Sequence, residues 1–144
     1  MKFSFKQILV PYDGSKIGEN AFHAALYVAK KINAKIFVLS CIERESTFGF
    51  FETKSDKQSM KERAMKIETK ILKLEEIATK NNIQFSFQIS KCSVASKFIA
   101  SFIKSEKIDL VVMAKSGRIN PEKIYHESTV NYIYRHTNCP MLNV

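Results

Sequence analysis

Two short stretches of the chain carry residue types suited to an anionic ligand. Pro11-Tyr12-Asp13-Gly14-Ser15 follows one apolar run, and Lys115-Ser116-Gly117-Arg118 follows another, Leu110 to Ala114. The second stretch leads through Asn120-Pro121-Glu122 to Ser128-Thr129, read as the start of a helix whose free amides and dipole favour negative charge. Asp13-Gly14-Ser15 is also a strand-to-helix turn in its own right, with Gly14 able to take positive φ and Ser15 placed as a cap. Asn120-Pro121-Glu122 has the order of a cap, a first-turn proline and a first-turn acid.

Other groupings carry less. His136 and Cys139 stand three apart, yet no second pair lies nearby, so ordinary packing is preferred over a metal site. Ser128, His126 and Asp13 lack a Gly-x-Ser-x-Gly elbow, which argues against a hydrolase. A Walker loop, a Rossmann glycine fingerprint and the His-x-Gly-His and Ser-Gly-Gly-x-Asp-Ser signatures of nucleotidyl-transferring enzymes do not occur.

The elements that must position these residues alternate in type. Gln7–Pro11, Lys35–Ile42, Gln84–Ile89, Asp109–Ala114 and Pro140–Val144 read as strands. Ala21, Ala24, Ala25, Val28 and Ala29 mark a first helix behind Ser15. From about Ser55 to Asn81, Met60, Ala64, Ile67, Ile71, Leu74 and Ala78 form one apolar stripe, with the lysines of that segment assigned to solvent. Val94–Ser105 and Ser128 to about His136 supply two more helices, and Glu43 to Ser55 reads as a loop. Strands alternating with helices imply right-handed crossovers and a doubly wound, mostly parallel α/β sheet covered on both faces. Ligands of such sheets bind beyond the carboxyl ends of the strands, where the winding reverses.

Composition narrows the class. The chain has 144 residues, 45% hydrophobic and 26% charged, as expected of one globular domain over residues 1–144. The short run Ile8-Leu9-Val10 is cut off by Pro11 before it could serve as a signal core, and no stretch is apolar enough to span a membrane. Cys41, Cys92 and Cys139, an odd number without paired spacing, fit a cytoplasmic location. The net charge of +9 invites a nucleic-acid reading, but Glu62, Glu68, Glu75 and Glu76 are interleaved with the lysines of the long helix and no binding motif accompanies them. Nucleic acid is therefore disfavoured as a partner.

Ile8 to Ser15 (ILVPYDGS), Leu110 to Met113 with Gly117-Arg118, and Cys139-Pro140-Met141-Leu142 resemble the universal stress protein family in order and spacing across nearly the whole chain. The resemblance implies a fold of the adenine-nucleotide alpha-hydrolase type, with five parallel strands in the order 3-2-1-4-5. It also implies a homodimer joined through the C-terminal strand, where Asn143 stands at a position more often aliphatic. By the same resemblance Asp13 and Cys41 would lie beside the adenosine part of ATP, Met113 would line the pocket, and Ser128 with Thr129 would face the phosphates, with Pro11, Tyr12, Ala114, Gly117, Arg118 and Glu127 completing the candidate nucleotide site.

That loop departs from the pattern of ATP-holding members, in which three glycines precede the hydroxyl residue. Ala114 and Glu127 occupy two glycine positions, while Gly117 and Ser128 are kept. A carboxylate about 4 Å from a phosphate charge opposes binding by up to about 4 kcal/mol, against about 8 kcal/mol for a micromolar ligand. Lys115, Arg118 or magnesium would offset part of this. The reading is a non-enzymatic stress-response regulatory protein with a degenerate nucleotide pocket, working through an unidentified protein partner or a smaller ligand. A true binder of ATP with magnesium is the alternative, and an ATP-using enzyme of the same fold ranks third.

Overall fold

Nine elements alternate along the described residues. They are β1 (Gln7–Pro11), α1 (Lys16–Ile32), β2 (Lys35–Glu43), α2 (Lys54–Lys80), β3 (Phe85–Cys92), α3 (Ala95–Ser105), β4 (Leu110–Met113), α4 (Ile124–His136) and β5 (Met141–Asn143). The structure is a computed structural model that describes residues 4–44, 49, 51–114 and 124–144, with 124–128 described as backbone only. All strand pairs are parallel, in the order β3-β2-β1-β4-β5.

Alternation along β1 divides the core into two layers. Ile8 and Val10 pack with Phe22, Ala25 and Ala29 of α1 and with Ile71, Leu74 and Ala78 of α2. Leu9 points the other way, into Ile99, Phe102 and Ile103 of α3 and Ile133 of α4. The continuous apolar run is thus the mark of a strand buried on both faces. At the sheet edge, β3 has one apolar face: Phe85, Phe87 and Ile89 pack against the α1/α2 layer, while Gln88 is exposed and donates to Ser90 Oγ at 2.7 Å.

Local chemistry sets the ends of the helices. Ser15 Oγ accepts from the Gly18 amide at 3.0 Å, and Asn33 closes α1 in the left-handed region at φ 54. Thr53 and Asp56 form a reciprocal capping box, which starts α2 at Lys54. No side chain of its own caps α3; instead the Ala95 amide donates to Glu43 Oε1, at 2.9 Å, from the end of β2.

Two boundaries differ from the sequence reading by more than one residue. β3 continues past Ile89 to Cys92, because each residue from Phe85 on has a partner on β2. α4 begins at Ile124 rather than Ser128. Serine favours caps but is tolerated inside helices, and no glycine or proline lies between Ile124 and Ser128 to stop the helix.

Candidate functional site

The winding reverses between β1 and β4. β1 leads to α1 on one face of the sheet, and β4 leads toward α4 on the other. The crevice beyond these strand ends is where a doubly wound sheet places its ligand.

One wall is the turn after β1. Asp13 is exposed, and its Oδ1 accepts from the Ser15 amide at 2.9 Å, which draws the turn tight. Gly14 takes φ +85, open at little cost only to glycine. The turn is fixed from β2: the Tyr12 amide donates to the Leu39 carbonyl at 2.9 Å, and the buried Ser40 hydroxyl donates to the Tyr12 carbonyl at 2.7 Å. It is also fixed from α2, where Lys70 Nζ donates to the Gly14 carbonyl at 2.7 Å.

The other wall comes from the opposite layer. Register pairs Pro11 with Leu39 and Leu9 with Val111, so Cys41 stands level with Asp13 and Met113 level with Pro11. Cys41 and Met113 both belong to the α3/α4 layer, whereas Ala114 packs against the α1/α2 layer. Pro11, Asp13, Cys41, Met113 and Ala114 are therefore gathered at one end of the sheet.

Tyr12 does not join them through its ring. The ring is 3% exposed, packs among α1 residues, and brings its hydroxyl within 3.4 Å of Glu19 Oε1. Burial, then the charges of Glu19 and Asp13, push its pKa up to about 12. Its ring thereby anchors the turn from the α1 side.

The thiols are held protonated. Burial pushes Cys41 up to about 12, with Cys92 and Glu43 adding to the effect, and it also raises Cys92. Cys139 rises to about 11 through burial and Asp109, and its Sγ donates to the Ile108 carbonyl at 3.4 Å. His136 Nδ1 lies 2.8 Å from the Tyr132 carbonyl, with its ring stacked on Tyr132 at 3.8 Å. The two members of the three-residue spacing thus each bond a backbone carbonyl.

Gly117 and Arg118, with Lys115 and Asn120-Pro121-Glu122, lie outside the described residues, as do the side chains of His126, Glu127 and Ser128. The backbone of α4 still bears on the anion argument. A helix beginning at Ile124 makes its first intrahelical bond through the amide of residue 127, so the amides after Ser128 lie inside the bonded helix and not at its free end. Ser128 and the half-buried Thr129 fall in the second turn.

Lys70 and Ser40, which bond the turn, are residues that the sequence reading missed. Lys70 follows Ile67 by three residues and precedes Leu74 by four, a spacing that puts it on the flank of the apolar stripe rather than opposite it.

Residues 4–144 match the model of the universal stress protein family. This chain belongs to that family. A putative universal stress protein of Staphylococcus haemolyticus is 30% identical over 146 residues, which cover 98% of this chain and 85% of that protein. Among solved structures, universal stress protein UspA from Lactobacillus plantarum superposes with a TM-score of 0.84 at 19% identity, over 99% of both chains. An Arabidopsis thaliana family member with AMP bound matches at TM-score 0.70 and 14% identity, over 96% of this chain and 90% of its own. A universal stress protein in complex with cAMP matches at 0.71 and 17%, over 99% and 98%. At these identities the structures speak for the fold, which is the adenine-nucleotide alpha-hydrolase-like sheet in the order 3-2-1-4-5.

Proposed function

We propose that this universal stress protein is a non-enzymatic regulatory module of the stress response that binds an adenine mononucleotide, its triphosphate subsite being degenerate. The observation that carries the reading is the gathering of Asp13, Cys41 and Met113 at the ends of β1, β2 and β4, around a turn fixed at Gly14. Family members of the same fold hold AMP and cAMP. The degeneracy rests on Ala114 and Glu127 at two glycine positions of the family loop.

Titration calorimetry of the folded protein with AMP, cAMP and ATP, the last with and without magnesium, tests it. AMP or cAMP should bind at micromolar concentration, and ATP more weakly. The Ala114→Gly/Glu127→Gly variant should gain about 5- to 1,000-fold for ATP. Tighter binding of ATP than of AMP by the parent would establish the alternative, a true ATP-binding member. Turnover of ATP would establish an enzyme, and binding of none of these nucleotides would leave regulation through protein contacts alone.

The proposal extends to a homodimer through β5. That strand pairs with β4 on one side, and Leu142 within it and Val144 just after it are 37% and 43% exposed. A strand edge of this kind accepts a second copy. Sedimentation should give a dimer that is lost on deleting 140–144. A monomer at high micromolar concentration would count against it. A cytoplasmic location accompanies the reading, since all three thiols are free.

A further inference from the structure

We infer that Lys70 of α2 is a positioning residue for the ligand crevice, holding the turn that carries Asp13 in its binding shape. This rests on the adenine-nucleotide reading of the crevice. Gly14 lies between Asp13 and Ser15 in that turn. At φ +85 its carbonyl is turned out of both the β1 ladder and the α1 helix, so it needs a partner from elsewhere. Lys70 supplies one across 56 residues of sequence, with Nζ donating at 2.7 Å.

The stem of the same side chain covers the glycine. A Cβ at Gly14 would lie 3.8 Å from Lys70 Cδ and 3.5 Å from Ile67 Cγ1, so α2 packs against the turn at this residue. Asp13 and Ser15 flank this clamped residue, and the Asp13 carboxylate already bonds the Ser15 amide. The direction in which Asp13 leaves the turn is therefore set by a residue on a different element. Lys66 and Lys73 on the same helix are exposed and serve as controls.

The test uses the full chain with Lys70→Met, which keeps the stem and removes the donor, Lys70→Arg, which keeps a cationic donor, and Lys66→Met. Affinity for AMP is measured by calorimetry, and exchange of the 13–18 amides by NMR. Lys70→Met should weaken AMP by about 10- to 100-fold and speed exchange in the turn by about tenfold, with β2 amides unchanged. Lys70→Arg should stay within about threefold of the parent, and Lys66→Met should match it. Unchanged exchange in Lys70→Met would overturn the clamp. Faster exchange with unchanged AMP affinity would overturn the positioning role. If the parent binds neither AMP nor cAMP, the adenine reading fails and takes the binding role with it, while the exchange data still decide whether Lys70 holds the turn.

Discussion

The ring of Tyr12 lies directly against the backbone of Gly18, so close that a Cβ built on the glycine would stand 2.8 Å from Cδ2 and 3.2 Å from Cε2. Glycine is therefore required at the first turn of α1 by its neighbour and not by its own φ. Alanine is intrinsically better in a helix by about 1 kcal/mol, but here the methyl meets a buried ring with no slack. Gly18→Ala should lower stability by about 1–3 kcal/mol in urea unfolding. A variant more stable than the parent would show that the ring can move aside.

Ser40→Ala removes the hydroxyl that donates to the Tyr12 carbonyl, in a fully buried place. A buried acceptor left without its donor costs about 1–3 kcal/mol. The variant should unfold at correspondingly lower urea concentration. An unchanged midpoint would mean that the carbonyl finds another donor.

Alkaline conditions should destabilise the fold. The pKa values of Tyr12, Cys41 and Cys139 are raised in the folded state, from 10 to about 12, from 9 to about 12 and from 9 to about 11. The folded chain then holds protons that the unfolded chain has released, so the stabilisation is complete below pH 9 and falls as pH rises through these values. Urea midpoints should drop steadily between about pH 9 and pH 11, and Tyr12→Phe should flatten the part above pH 10. The same shifts predict slow alkylation of Cys41 by iodoacetamide at pH 8 in the native protein and rapid alkylation in urea. Equal rates in the two states would contradict them.

Ile71 is fully buried between α2 and the sheet, with Leu74 one turn on at 4% exposure. Ile71→Ala should cost about 2–5 kcal/mol, whereas Lys66→Gln and Lys73→Gln should change stability by less than about 0.5 kcal/mol. Loss of a binding function in those lysine variants, with folding intact, would point to an anionic partner for the exposed face of α2.

Periodicity and turn chemistry made most of the architecture readable. Branched apolar runs marked the strands, the three- and four-residue steps from Met60 to Ala78 marked α2, and Asp13-Gly14-Ser15 marked the turn that closes one wall of the crevice. What escaped depends on contacts between distant residues. Nothing near Tyr12 tells which way its ring turns, since that follows from space left at Gly18. Lys70 resembles any surface lysine until Gly14 presents a carbonyl to it. The capping box of Thr53 and Asp56 was obscured by the mixed polarity around it, and Ser128 looked like a cap because local preference alone does not show whether a helix has already begun upstream.

Glu43 capping α3 bears on the order in which the chain can fold. A helix of 11 residues is marginal by itself in water, and α3 has no side chain of its own to receive its first amides. Its acceptor lies 52 residues earlier, at the end of β2. During synthesis β2 leaves the ribosome well before Ala95, so the carboxylate is in place when α3 emerges. A circular permutant that makes α3 first would lose that head start, and its folding during synthesis should lag behind the natural order even where its final stability is the same.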